Sequence, residues 1–400
     1  MPYSTATTEA PTVIHAHTPK TQAPSFVKGY LRSFVENVLE DISQYYFRVS
    51  TLHFEQLEDI EEDKRPVIFI SNHASMSYPW DMLLLFVQLH QNETLAEVGS
   101  KIRPLLEQEL MENEWINPFL LKDFWTKFGG LSDSSENLEE ILTEEGAHVL
   151  YYPEGVEGIQ KGFGNRYELQ KFARSLVYLS IKHKIDIVPI ATVNNEYLNP
   201  LNRRLERLNG LAKQLGISFM PISPLMLLMP YAPWLVYFAL PSQLIYVMGS
   251  RIKPYKMLAK PFEEISEKEW NHLQHRVQMQ MQIELDYAVS QYGNQPLSFP
   301  AYLNSLLSNT HKLNSFLPFT WPYLFGLQDS EYKNAQEQKE EWAVEETKDL
   351  TSSSFDKIVR DVKDAVNIAV NNPHILAFYL PVVGWLPLWL QGEKSSVEVR

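Results

Sequence analysis

The chain of 400 residues contains no cysteine. That absence removes disulfides, a thiol nucleophile and every cysteine-based zinc site, and it fits a protein working on the cytoplasmic side. A basic block is missing too, since Arg203-Arg204 is a short pair typical of a solvated face. Asp and Glu number 49 against 35 for Lys and Arg, so the formal net charge is -14. Such a field repels a polyanion and argues against a nucleic-acid partner. It also disfavours loose attachment to anionic lipid, which leaves apolar contact as the route to a membrane.

Other absences narrow the chemistry. Residues 1–24 lack the apolar core of a signal peptide, are rich in Thr, Ala and Pro, and read as a disordered leader. No Gly-x-Ser-x-Gly elbow surrounds Ser75 or Ser77, which sets aside a serine nucleophile. No Gly-x-x-x-x-Gly-Lys-Ser/Thr loop occurs, which sets aside a nucleotide cradle. Gln214–Ser250 and Ala365–Gly392 carry no charged residue. Prolines at 221, 224, 230, 233 and 241, and at 373, 381 and 387, break both stretches. Each removes a helix hydrogen bond, so neither forms one straight spanning helix. The first reads as a buried loop with an acyl-chain pocket, or as a re-entrant or interfacial patch. The second, with Trp385 and Trp389, reads as a membrane-interface or tunnel-covering element, or as a helix pair closing the core. Phe355, Ile358, Val359, Val362 and Val366 form a helical stripe ahead of it.

What is present is an ordinary globular balance, 44% hydrophobic and 21% charged, with Trp at 9 and Tyr at 20. Apolar residues from Phe26 to Tyr45 recur at helical spacing with Ser25 as cap, giving a helix packed on the main domain or lying in a membrane interface. Val67–Ile70, Val149–Tyr152, Ile187–Ala191 and Leu244–Met248 read as buried strands. Helical patterns at Met82–Leu89, Ser134–Leu142 and Leu169–Ile181 lie between them, and a Gln- and Met-rich helix spans Glu267–Tyr292. Strands alternating with helices predict an α/β fold: a mixed, largely parallel sheet flanked by helices, with helical N- and C-terminal extensions. The expected divisions are a leader at 1–24, a helical segment at 25–65, a catalytic domain at 66–295 and an apolar extension at 296–400.

Chemistry gathers in two segments. His73, in Ser71-Asn72-His73-Ala74, follows the first strand, where α/β proteins place their sites. Asp81 opens the next helix, with Pro79 setting its first turn. That placement lets a carboxylate orient an imidazole, as in a general-base site. The second segment is Tyr151-Tyr152-Pro153-Glu154-Gly155, continuing through Gly158, Lys161, Gly162 and Arg166. Its glycines let the backbone turn closely around a ligand. Glu154 can hold a hydroxyl or an amide, and Lys161 and Arg166 offer positive charge beside it.

Together these segments resemble the glycerolipid (lysophosphatidate-type) acyltransferase superfamily. Asn72, His73 and Asp81 match its first motif. Tyr152, Pro153, Glu154 and Gly155 match its third, and Val188-Pro189-Ile190 resembles its fourth. The likeness covers about Pro66–Lys253, and the ordered set is far more specific than any one motif. The spacing His73-x7-Asp81 departs from the usual His-x4-Asp, places Tyr78 where Asp would stand, and resembles a less typical branch. Phe128-Gly129-Gly130-Leu131-Ser132 has the glycines of the second motif without its arginine. Val156-Glu157 stands where the third motif often has Thr-Arg, leaving Lys161, Arg166 or Arg103 as candidate substitutes for phosphate binding.

The resemblance implies transfer of an acyl group from an acyl thioester, from acyl-CoA or acyl-carrier protein, to a hydroxyl of a lipid acceptor. It implies His73 as general base and Asp81 as its orienter, with no acyl-enzyme, no metal and no cofactor. Glu154, Gly155, Lys161, Arg166 and Arg103 are the candidate substrate-binding residues. The expected partners are the donor, the lipid acceptor and a membrane surface, and the expected location is membrane-associated on the cytoplasmic side. A lysophospholipid acceptor leads. A neutral lipid alcohol, such as diacylglycerol or a long-chain alcohol, is the alternative that the missing arginines favour. A non-catalytic lipid-binding protein of the same fold is the third.

Overall fold

The computed structural model describes residues 28–63, 65–74, 78–91, 102–107, 111, 117–202, 228, 231–337, 375 and 377–380. Its centre is a seven-stranded sheet. The strands are β1 (Ser50–Leu52), β2 (Val67–Ser71), β3 (Ile102–Leu106), β4 (Leu131–Ser132), β5 (His148–Tyr151), β6 (Asp186–Val193) and β7 (Ile245–Met248). They lie in the order β1-β7-β6-β2-β5-β3-β4. Every pairing is parallel except that of β6 with β7, so the expected mixed, largely parallel sheet is the one that forms.

Alternation explains why β2 sits at the centre. Val67 and Phe69 pack into one apolar core while Ile68 and Ile70 pack into the other. A strand buried on both faces reads as a continuous apolar run, and each fully buried side chain of this size contributes about 1.5–3 kcal/mol. Three strands were not among those expected. β3 contains Arg103 and Pro104, β4 has two residues, and β1 has three.

The expected helix over 169–181 begins only at Arg174. The preceding residues are not helical, and a ladder of glutamines on the helix Glu267–Tyr292 binds their backbone instead. Gln274 donates to the Phe172 carbonyl, Gln278 to Leu169 at 3.1 Å and Gln282 to Tyr167 at 2.8 Å. Gln282 also accepts from the Leu169 N–H at 2.9 Å. Four-residue spacing aligns these amides on one helix face.

The N-terminal helix, Lys28–Phe34, continues through wider turns at Val35–Leu39 and Ile42–Tyr46. Its apolar stripe is buried, with the Phe34 ring 5.5 Å from Phe124 and 5.6 Å from Phe325. It therefore packs on protein. Its partner is the helix Trp321–Glu337: Tyr30 donates to Asp329 at 2.9 Å and Gln328 to Ser33 at 3.0 Å. The two extensions thus form one layer.

Of the two charge-free stretches, the described parts give a 3-10 turn, Pro233–Tyr237, followed by β7, and a short buried piece around Phe378. Phe378 packs 5.7 Å from Phe119 and 5.9 Å from Tyr237. The leader, Ser25, Ser75, Ser77, Arg203-Arg204, the Phe355–Val366 stripe, Trp385 and Trp389 lie outside the described residues. Among the described residues no helix is long and apolar enough to cross a membrane.

Candidate active site

The site is built where β2, β5 and β6 end together. Asn72 follows β2, and its side chain imitates one more strand pair. Its Oδ1 accepts from the Thr192 N–H at 2.8 Å, and its Nδ2 donates to the Thr192 carbonyl at 3.1 Å. Asn195 then donates to the Asn72 carbonyl at 3.2 Å. These bonds carry the ladder one residue past the strand and fix the chain direction entering His73.

His73 is buried. Its main-chain N–H donates to Glu154 Oε1 at 2.9 Å, and its ring lies 4.4 Å from that of Tyr152. The third motif thus holds the first. Burial, reinforced by the nearby Lys161 charge, pushes the imidazole down to about 3, so it is neutral at ordinary pH.

Asp81 lies in the first turn of the helix Trp80–Gln91. The longer loop returns to the imidazole: Asp81 Oδ2 is 3.9 Å from His73 Nδ1. That is ion-pair range and longer than a hydrogen bond. The carboxylate also ties the loop shut, accepting from the Ala74 N–H at 2.7 Å and the Met82 N–H at 2.9 Å. Burial raises its pKa to about 7, against the lowering effect of those two amides. Pro79 accepts from Leu83 N–H at 3.0 Å, as expected of a residue setting the first turn.

Glu154 works through both oxygens, accepting from His73 and, at 2.8 Å, from the Gln170 N–H. Lys161 is fully buried, 3.8 Å from Glu154 and 2.8 Å from Glu196. Burial opposes its charge, yet the two carboxylates prevail and its pKa is raised. Gly155 takes φ +54°, and an added Cβ would stand 2.8 Å from Glu107 Oε1. Gly158 admits no side chain: its Cβ would fall 2.7 Å from the Glu154 Cβ and 3.1 Å from the His73 Cβ.

The structure therefore gathers His73, Asp81, Glu154, Gly155 and Lys161. Arg166 is exposed, with its guanidinium 5.0 Å from the Phe163 ring. Arg103 does not join the site. It pairs with Val149, which pairs with Ile68. His73 lies five residues further along that direction, about 16 Å at strand spacing. Glu196 carries a part of the site that sequence reading had not assigned, and Gly158, read as a glycine for close turning, packs against both Glu154 and His73. The signal for Glu196 was its position in Asn194-Asn195-Glu196, directly after the Val-Pro-Ile strand. Among the described residues no cluster of His, Asp and Glu has the arrangement of a metal site.

Comparison with known proteins bears on the same segment. Residues 51–193 match the family model described as Acyltransferase. An uncharacterised protein of Mycobacterium tuberculosis is 26% identical over 194 residues, covering 48% of this chain and 49% of its own. One of Mycobacterium leprae is 25% identical over 203 residues, covering 50% of each. The chain spans about half the length of the curated relatives it matches. The 1-acyl-sn-glycerophosphate acyltransferase PlsC of Thermotoga maritima aligns with 65% of this chain and 89% of its own, at 16% identity and a TM-score of 0.36. Residues 51–193, which match the Acyltransferase family model, span β2, β5 and β6, whose ends carry the ordered motifs.

Proposed function

We propose that this protein moves a fatty acyl group from an acyl thioester, carried by coenzyme A or an acyl-carrier protein, to a hydroxyl of a glycerolipid acceptor such as a lysophospholipid. The observation that carries the reading is a buried, neutral His73 with a carboxylate 3.9 Å from one ring nitrogen. With Nδ1 turned to Asp81, Nε2 is left for the acceptor hydroxyl. As the hydroxyl oxygen attacks the thioester carbonyl, Nε2 takes its proton. Asp81 supports the imidazolium, the C–S bond breaks, and the proton passes to the departing sulfur. Positioned proton transfer of this kind contributes about 10²–10⁴-fold. No acyl-enzyme forms, and the step as written uses no cofactor of the protein's own. A lipid acceptor supports a membrane-associated location, and the absence of cysteine fits its cytoplasmic side.

A neutral lipid alcohol is the second reading, and the engagement of Lys161 favours it. Glu154 and Glu196 together outweigh that cation, and Arg166 lies over Phe163. A phosphate on the acceptor would have to compete with both carboxylates. One assay separates the readings: purified protein with an acyl-CoA, given lysophosphatidate, lysophosphatidylcholine, diacylglycerol or a long-chain alcohol, with His73→Ala alongside. Transfer to lysophospholipids supports the first, and strict preference for neutral alcohols supports the second. Unchanged transfer by folded His73→Ala would rule out His73 as the base.

A further inference from the structure

The helix Phe299–Ser308 is apolar, yet none of its residues is buried. A surface helix of a globular protein ordinarily turns its apolar stripe toward the core. Here Tyr302 and Ser305 face the protein, donating to the carbonyls of Phe316 at 3.0 Å and Tyr45 at 3.5 Å. Phe299, Leu303 and Leu307, at four-residue spacing, are 62%, 50% and 72% exposed. The outward face is the greasy one.

The surroundings extend that face. Phe319 is exposed, and its ring lies 6.5 Å from Trp234. Trp234 belongs to the turn Pro233–Tyr237 in the first charge-free stretch. The Gln243 N–H donates to the Pro296 carbonyl at 2.8 Å, joining that stretch to the start of the exposed helix. Between Asp286 and Asp329, Lys312 is the sole Asp, Glu, Lys or Arg, and Asp41 neutralises it at 2.7 Å. A chain with a net charge of -14 thus converges its uncharged segments on one surface. This surface also adjoins the site, because the Tyr237 carbonyl accepts from the Trp80 indole at 2.7 Å, one residue before Asp81.

We propose that this face, formed by Phe299, Leu303 and Leu307 with Phe319 and Trp234 beside them, lays the protein flat on a lipid bilayer of zwitterionic headgroups. Apolar side chains of such a helix enter the boundary between headgroups and acyl chains, and aromatic rings sit at headgroup level. Charge argues for this occupant. Two copies of so acidic a chain repel each other, as do the chain and an anionic lipid surface, whereas a net-neutral surface does not. The choice of a bilayer also rests on the lipid substrates proposed above.

The test is flotation of the full chain with phosphatidylcholine vesicles, with neither acyl donor nor acceptor present. The wild type is expected to float equally at low and high salt. The triple variant Phe299→Ser, Leu303→Ser, Leu307→Ser is expected to partition at least about tenfold less, with unchanged thermal unfolding because no residue of that helix is buried. Ile283→Ser removes an equally exposed apolar side chain from a helix face where Met279 and Tyr287 are interspersed with Arg276 and Asp286, and is expected to float like the wild type. Equal flotation of the triple variant overturns the proposal. So does a wild type that stays in solution, is stripped by salt, or dimerises through this helix without floating. Transfer to a short-chain, water-soluble acceptor separates the two readings. Its absence in the wild type counts against acyl transfer and leaves the vesicle result standing.

Discussion

The main-chain N–H of His73 donates to Glu154 Oε1 at 2.9 Å. A residue at the end of β2 is therefore held by one at the end of β5, and the imidazole position depends on how closely those loops approach. Gly158 sets that approach. Replacing it by Ala puts a Cβ 2.7 Å from the Glu154 Cβ, closer than real contacts allow, and a tight 3.1 Å from the His73 Cβ. Gly158→Ala is expected to cost about 1–3 kcal/mol in stability, as overpacking of a filled core does. Acyl transfer should fall further than stability explains, by roughly 10²-fold, as expected for a 1 Å misplacement of a reacting group. Denaturant unfolding alongside kcat/KM checks both. Full activity in the variant would mean that the loops have slack.

Lys161 sits between Glu154 and Glu196 with its side chain fully buried. Removing one partner of a buried ion pair leaves an uncompensated charge, which typically costs about 3–5 kcal/mol. Lys161→Met is expected to destabilise by that order at neutral pH. Adding Glu196→Gln should recover part of the loss, since one of the two stranded carboxylates is then gone. A double-mutant cycle from urea unfolding reads the coupling. Additive effects would show that Lys161 and Glu196 act independently.

Much of this site was legible because apolar runs and chemistry-bearing residues alternate along the chain. Val67–Ile70 announces β2, and Asn72-His73 follows its end. The Val149–Tyr152 run does the same for Glu154. β3 escaped because Arg103 and Pro104 interrupt its apolar pattern, although a neighbour on each side makes it a strand. Arg103, a candidate because the motif arginines are missing, lies on that strand, two removed from β2 and in register with Ile68 rather than with its end. Pairing register is a tertiary property that one sequence does not display. Gln274, Gln278 and Gln282 did announce a helix face. What they bind, the non-helical backbone of 167–172, depends on contacts more than 100 residues distant in sequence.

Tyr78 stands where the usual spacing would place the aspartate. It is buried among Trp80, Trp125 and Tyr237, and among the described residues its hydroxyl has no hydrogen-bond partner. The Trp125 indole N–H is likewise unpartnered, whereas Trp80 and Tyr237 donate to the carbonyls of Tyr237 and Asn117. A buried, unsatisfied hydroxyl costs about 1–3 kcal/mol, and Phe keeps the ring without it. Tyr78→Phe is expected to raise the unfolding free energy by about 1 kcal/mol. The paired measurement is KM for the acyl donor and acceptor. A stabilised enzyme with a raised KM identifies the hydroxyl as a substrate contact, and one with unchanged kinetics marks it as packing alone.

Asp81 and His73 respond to pH in opposite senses. The buried Asp81 carboxyl is raised from 3.8 to about 7, so its ionisation opposes folding. That cost is absent below 3.8, grows as pH rises and is complete above about 7. His73 is depressed from 6.5 to about 3, so between those values the unfolded chain binds more protons and stability falls as pH drops. In the overlap, from 3.8 to 6.5, the carboxyl masks part of the imidazole's effect. Asp81→Asn removes the mask, and its unfolding free energy should fall more steeply with acid across that window than the wild type's. Catalysis supplies the second readout. An ionised Asp81 stabilises the imidazolium formed during proton transfer, so wild-type kcat/KM should climb through about pH 7 and level above it. In Asp81→Asn that limb should vanish, leaving a flat profile at least about 10²-fold lower. A variant that keeps the wild-type limb would assign it to another group and remove Asp81 from the proton-transfer step.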